Sequence, residues 1–409
     1  MRQLAGFCTS PFGGLTCPPT SSPPHEEEPL QEEAAHMMPH LLMPLRQLVS
    51  AVTAFPTGDP KFAVKQSMPS AINQIDADPF LMCDEFGPTK AKSGPHPDGS
   101  DEGFDVGWHP HHGMDILSYI VEGKGRHADS MGNRETFDSP GFQWLSVGSG
   151  IEHAEGGGTP KGENLHGFQI WLRMPAANME DDPRYGTVGP SEIPLAKLPG
   201  GHSGTAGGKD AELARISAAA GAGGGQVRVI AGPFGNKVGP ARFAVNVQML
   251  DVEVNPGQTF HYTLPEGMDN CMFYGFKGDS RVGAVLNGDA KNAVLKPQTI
   301  AQFEPPEGLK GGARSITLEN SGSEPFRLMV FAGKKTREDI VWRGPFVCSS
   351  QEQLARVMKN YQRGKLPSKR VPWDYRNVDS FPPEELAKIR AAAEKRVEAG
   401  SAGGPKQEL

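Results

Sequence analysis

Two histidine-bearing stretches constrain this chain more than any other feature. The first is Trp108-His109-Pro110-His111-His112-Gly113, and the second is Gly148-Ser149-Gly150-Ile151-Glu152-His153-Ala154-Glu155. Side chains two apart on a β-strand point to the same face. His109 and His111 therefore share one side of their strand, as do His153 and Glu155. Two such pairs on facing strands bring three imidazoles and one carboxylate to a single point. That donor set suits Fe(II), Mn(II), Ni(II), Cu(II) or Zn(II). The interior of a small β-barrel supplies the dry cavity such an ion needs, with positions left open for water or substrate. A lone histidine is usually a surface or packing residue. Two i, i+2 pairs flanking a hairpin-like unit make metal binding the stronger reading. His112 has the opposite parity and is expected to turn away. Asp115 shares the parity of His111 and is expected to support the site rather than ligate.

The remaining pattern is that of a β-protein. Short apolar segments at 116–121, 126–130, 142–147 and 165–172 are separated by glycine and proline turns, a spacing that suggests a barrel or sandwich. The chain's 51 glycines and 37 prolines in 409 residues supply the turns. The rhythm restarts at 226–230 and repeats to 333. This divides the chain into an extension, 1–58, expected to be disordered; a first metal-binding barrel, 59–190; a Gly-rich insertion, 191–225, with a helix-prone centre at 210–220; a second barrel, 226–345; and C-terminal helices and tail, 346–409. Within the extension, 43–55 reads as a short, loosely ordered helix. Near the other end, Ser349 is expected to cap a helix over 350–364, with a second from Pro382 to about Arg396.

A formal net charge of -7 gives no general attraction to nucleic acid or to acidic membranes. No apolar run approaches a membrane span. The five cysteines (Cys8, Cys17, Cys83, Cys271 and Cys348) are scattered without a CxxC pair. Neither a disulfide framework nor a cysteine metal site is expected, and a reducing compartment, the cytoplasm by default, is the expected location.

His109, His111, Asp115, Gly123, Pro140, Gly141 and His153 fill an HxHxxxD/E–G–PG–H pattern that resembles the cupin signature. The segments DPFLMCDEFGP (78–88), HPHHGMDILSYIVEG (109–123), QWLSVGSGIEHAE (143–155), LHGFQIWL (165–172) and RGPFV (343–347) resemble the pirin family, over roughly residues 62–366. The resemblance implies an all-β bicupin: two β-barrels packed face to face, with a short C-terminal helical extension. It implies a metal in the first barrel, most often Fe(II), held by His109, His111, His153 and Glu155. The chain departs from the family at Asp115, where glutamate is usual, and at Met114, where phenylalanine is common. The second barrel offers only His261 and is expected to bind no metal.

Two functions follow from the resemblance. One is a quercetin 2,3-dioxygenase-type oxidoreductase acting on a flavonol-like aromatic molecule and O2, with Glu155 as ligand or as the base that takes the flavonol 3-hydroxyl proton. The other is an iron-dependent, redox-sensitive transcriptional co-regulator with transcription factors as partners and no turnover. A storage or purely structural bicupin is a third reading. Of the aromatics near the histidines (Trp108, Phe142, Trp144, Phe168 and Trp171), the sequence does not select which would line a pocket.

Overall fold

The computed structural model describes residues 47–57, 64–92, 94, 104–199, 223–278, 283–284, 293–304, 315–389 and 391. Among the described residues, twelve strands lie before residue 190: β1 (Gln47–Thr53), β2 (Phe55–Thr57), β3 (Val64–Met68), β4 (Phe80–Lys90), β5 (Val106–His111), β6 (Met114–Glu122), β7 (Lys124–Asp129), β8 (Arg134–Asp138), β9 (Gly141–Ser146), β10 (Ile151–Glu155), β11 (Asn164–Arg173) and β12 (Arg184–Val188). The first barrel is a seven-stranded antiparallel sheet, β12-β9-β6-β11-β4-β3-β2, facing a four-stranded sheet, β5-β10-β7-β8. The second barrel repeats the plan. Its large sheet runs through Thr299–Glu304, Asn270–Lys277, Phe326–Gly333, Val247–Val254, Gly225–Ala231 and Leu195–Leu198, with β1 added at the edge beside Thr299–Glu304. The fold is thus two cupin domains.

The two large sheets face one another across an apolar seam. From the first come Leu117, Tyr119, Phe142, Phe168 and Ile170; from the second come Met249, Met272, Tyr274, Met329 and Phe331. Phe80 meets Phe331 edge-on at 5.3 Å, and Phe168 meets Tyr274 at 5.9 Å. On β6, seam-facing Leu117 and Tyr119 alternate with Ile116, Ser118 and Ile120, which point into the first barrel. Both faces of that strand are covered, which is why ILSYIV reads as a continuous apolar run rather than an alternating one. A few buried polar groups cross the seam. The Tyr119 hydroxyl donates to Asp251 Oδ2 (2.6 Å), which also pairs with Arg327 and Arg228. Glu85 accepts from the Tyr274 hydroxyl and from His166.

Four sequence expectations are revised. Residues 47–57 form strands rather than a disordered tail or a helix: β1 pairs with Thr299–Glu304 of the second barrel, while β2 pairs with β3 of the first. The β-branched and alternating residues of QLVSAVT suit an edge strand once a partner exists, and the partner lies far along the chain. The insertion is framed by paired strands, Leu195–Leu198 and Gly225–Ala231; the helix expected at 210–220 lies outside the described residues. Asp115 does not serve the histidines. The turn at Gly113 (φ 71) resets strand parity, so Asp115 lies on the seam side and accepts from the Ala244 backbone N–H at 2.7 Å. The helix α1 (Gln351–Gln362) is capped by Ser350, whose hydroxyl accepts from Gln353 N, not by Ser349. A second helix occupies 383–389, and the rest of the stretch expected to be helical, up to 396, is outside the described residues apart from 391. Among the described residues no helix is long and apolar enough to cross a membrane.

Because Phe331 is fully buried in the seam, Phe331→Ala is expected to destabilise the protein by about 3–5 kcal/mol. Chemical denaturation checks this, and a loss below about 1 kcal/mol would show that the barrels do not depend on the seam.

Candidate metal centre

The four-stranded sheet of the first barrel carries the histidines on its inner face. β5 and β10 are antiparallel neighbours with His153 directly opposite His109. Directly opposed residues share a face, so alternation brings His109, His111 and His153 together, and their ligand nitrogens all lie within 4.8 Å of one another. Ring centroids are 4.4 Å apart for His109–His153 and 4.8 Å for His109–His111. His109 Nδ1–H donates to the Gly107 carbonyl at 2.7 Å, which leaves Nε2 bare and aimed inward. That Nε2 stands 2.9 Å from His153 Nε2. Two nitrogens each about 2.1 Å from one ion at right angles lie about 3.0 Å apart, so the spacing fits shared coordination. His111 Nε2 and His153 Nδ1 are buried without a protein partner among the described residues. Burial, and then the neighbouring imidazoles, push the pKa of His111 and His153 well below the ordinary value of 6.5. Rings kept neutral in this way keep the lone pairs that a metal requires. The donor set fits a divalent transition metal.

Glu155 continues the inner face of β10, but its carboxylate is not part of the three-imidazole cluster. The pairing with β5 slips between His153 and Glu155. Oε2 accepts from Gln143 Nε2 at 2.6 Å and lies 2.9 Å from the Ser118 hydroxyl, and Oε1 accepts from Gln169 Nε2 at 2.8 Å. Two amide donors from the opposite sheet, with the Ser118 hydroxyl shared between Glu155 and Gln169 Oε1, thus hold this carboxylate in the wall of a cavity of about 210 Å³. Val64, Phe86, Ile120, Phe137 and Leu165 give the cavity its apolar surface, and the charged Asp84, Asp105, Lys124 and Arg126 line it as well. Of the aromatics near the histidines, Trp171 lies against His111 at 5.1 Å. Phe142 and Phe168 belong to the seam, Trp144 packs against it, and Trp108 meets Tyr375.

Known proteins resemble this chain in sequence and in fold. The profile of the pirin family matches residues 61–172, and that of the pirin C-terminal cupin domain matches residues 249–367. The chain belongs to the pirin family. It is similar to Pirin-1 of Arabidopsis thaliana, 27% identical over 303 residues, covering 74% of this chain and 88% of the relative. It is 29% identical over 294 residues to a Pseudomonas aeruginosa protein named "Putative quercetin 2,3-dioxygenase", covering 71% and 87%. Among solved structures, a quercetin 2,3-dioxygenase from Acinetobacter baumannii superposes with a TM-score of 0.61 at 20% identity, covering 78% of this chain and 98% of that one; this likeness speaks for the fold alone.

The inner face of this pirin's small sheet holds more than the sequence reading singled out. His127 and Asp129 of β7 lie directly opposite Glu155 and His153. Buried His127 stacks on Tyr185 (4.2 Å), lies 5.5 Å from His153, and makes a 3.0 Å contact through Nε2 with Asp129 Oδ2. The available signal was another i, i+2 pair, His-x-Asp, on the next strand. His112, by contrast, faces away, with Nδ1 at 3.0 Å from the Val347 carbonyl. The outer face of the same sheet is covered by the segment after α1. Buried Glu152, between Ile151 and His153 on β10, accepts from the Tyr375 hydroxyl (2.5 Å) and from Arg376 (2.7 Å). The Val371 N–H donates to the Ser130 carbonyl, and Arg134 donates to the Tyr375 carbonyl. Trp108, Glu152, Ser130 and Arg134 take this cover across β5, β10, the end of β7 and β8.

Protein loaded with a divalent transition metal is expected to hold about one ion per chain, and His153→Ala is expected to lose it; elemental analysis decides, and retention of full metal by this variant would overturn the assignment. In metal-stripped protein, His111 and His153 resist protonation when folded but accept protons near pH 6.5 when unfolded. The unfolded state then binds more protons, so stability falls as pH drops below that value. The fall in unfolding midpoint between about pH 7.5 and about pH 5.5 should be smaller in His153→Ala than in wild type, and equal falls would contradict the shifts.

Proposed function

We propose that this pirin is a metal-dependent oxidoreductase of the quercetin 2,3-dioxygenase type, working with Fe(II) on a flavonol-like aromatic substrate and O2. The observation that carries the reading is a cluster of three imidazoles with Glu155, two residues along β10 from His153, held as a carboxylate in the wall of a cavity. The names carried by relatives at this level of similarity support it.

His109, His111 and His153 would hold the ion, which when bound supplies an open coordination position and electron exchange with O2. The chain's own residues do the rest. Apolar walls at Phe86, Ile120 and Phe137 exclude water and accept a planar ring. Gln143 and Gln169 hold Glu155 toward the cavity through their amide N–H groups. Glu155 takes the proton of the substrate hydroxyl beside the imidazoles, its oxygens placed by those amides. Because Ser118, Gln143 and Gln169 stand on three neighbouring strands of a sheet covered on both sides, the carboxylate is positioned before substrate arrives.

Iron-loaded protein incubated aerobically with quercetin is expected to bleach the flavonol absorbance and release carbon monoxide, and Glu155→Gln should slow turnover by about 10²–10⁴-fold. Unchanged flavonol absorbance with iron, manganese, nickel and copper in turn would reject the reading.

A further inference from the structure

The interior of the first barrel is layered. Gln66, Asp84, Gln169, Ser118, Gln143 and Thr187 are each directly opposite the next, across β3, β4, β11, β6, β9 and β12. Directly opposed residues share a face, so these six form one polar row around the barrel wall. The neighbouring row is Val64, Phe86, Gly167, Ile120 and Gly141, again in register. It is apolar, and Gly167 lets the Phe86 ring lie flat across β11 where a methyl group would overlap it. Gly125 does the same for Phe137 on the facing sheet. The row on the other side is also apolar, with Met82, Trp171, Ile116, Leu145 and Tyr185 in register.

Within the polar row the amides of Gln143 and Gln169 are committed to Glu155. Asp84 is not part of that group. It lines the same cavity on the far side of Gln169. Gln66 Nε2 donates to its Oδ1 at 2.9 Å, which fixes the side chain. Its Oδ2 has no protein donor among the described residues. Burial pushes the Asp84 carboxyl up to about 6, the cost of a charge that the protein does not fully solvate. Glu85, next in sequence, faces the seam and is bonded by His166 and Tyr274. A carboxylate with one oxygen fixed and the other lacking a donor, in a cavity that also presents the Phe86 and Phe137 rings, is an acceptor awaiting a ligand hydroxyl.

We propose that Asp84 is a specificity-determining residue that accepts a hydrogen bond from a hydroxyl on the end of an aromatic ligand remote from Glu155, so that the cavity selects planar aromatics carrying hydroxyls at both ends. The proposal rests on the aromatic-substrate reading above and names what that reading leaves open, which is how one hydroxylated ring is told from another. A ligand without the remote hydroxyl leaves Asp84 desolvated and unpartnered. A buried acceptor left in that state disfavours the wrong ligand more than any apolar contact favours the right one.

The test is equilibrium binding without oxygen, so that chemistry does not enter. Iron-loaded wild-type protein, Asp84→Leu and Asp84→Asn are titrated with quercetin and with galangin, which lacks the two catechol hydroxyls, and tryptophan fluorescence is followed. Wild type is expected to prefer quercetin by roughly tenfold or more. Asp84→Leu is expected to bring the two affinities together while keeping or improving that for galangin. Asp84→Asn, of the same shape, should show a reduced preference and keeps the test in force if the leucine variant does not fold. An equal preference in wild type and both variants overturns the role of Asp84 and leaves the catalytic reading standing. Failure of wild type to bind either flavonol overturns both, and aerobic turnover of the two flavonols with equal kcat/KM overturns this proposal alone.

Discussion

Everything in this molecule depends on the dry contact between its two large sheets. Each must hide one face, and each hides it on the other, through Phe80 on Phe331 and Phe168 on Tyr274 and Phe276. With the seam on one side and a barrel interior on the other, the central strands are covered twice. Polar side chains on them survive only where partners wait. Asp251 is held by Tyr119, Arg228 and Arg327, and Glu85 by His166 and Tyr274. Such buried groups add little net stability to an apolar seam. What they supply is register, because a slide of one sheet over the other would strand every one of them.

The two barrels show how one scaffold is filled in two ways. The second is packed with Phe260, Tyr262, Phe273, Phe303 and Leu318, among others. Its one histidine in the corresponding stretch, His261, is exposed and meets Thr317. The first gives up that filling. A polar row replaces an apolar one, glycines at 125 and 167 make room for rings, and the facing sheet contributes imidazoles where the second barrel has aromatic and aliphatic side chains. The difference lies in alternate residues of a few strands and leaves the scaffold alone.

The histidine cluster was legible because period-two alternation is a local property: His109 and His111, or His153 and Glu155, need only a strand to share a face. The same reasoning misplaced Asp115, since it carried parity through Gly113, where a left-handed backbone resets it. It passed over His127 and Asp129, whose spacing is identical but whose importance comes from lying beside β10, which no local pattern reveals. Nor did the sequence disclose that Gln66, Asp84, Gln169, Ser118, Gln143 and Thr187 form one row. Each is an unremarkable polar residue on its own strand, and only the register of five pairings aligns them. The strand at Gln47–Thr53 was missed for a similar reason: its partner is some two hundred and fifty residues away, as the pairing of Thr53 with Thr299 shows.

That distant pairing has a counterpart at the other end of the chain. The first of the described strands joins the second barrel, and the segment around Tyr375 and Arg376 returns to cover the first. The two barrels are therefore laced together rather than strung in sequence. A nascent chain emerging from the ribosome has β1 to β12 by Val188, but the edge of one barrel and the outer cover of the other must wait for residues still to be made. Closing contacts across such separations is slow. The barrel that comes first in the sequence thus waits for the segment around Tyr375, and the sheet that carries the imidazoles takes its final form only once that segment is made.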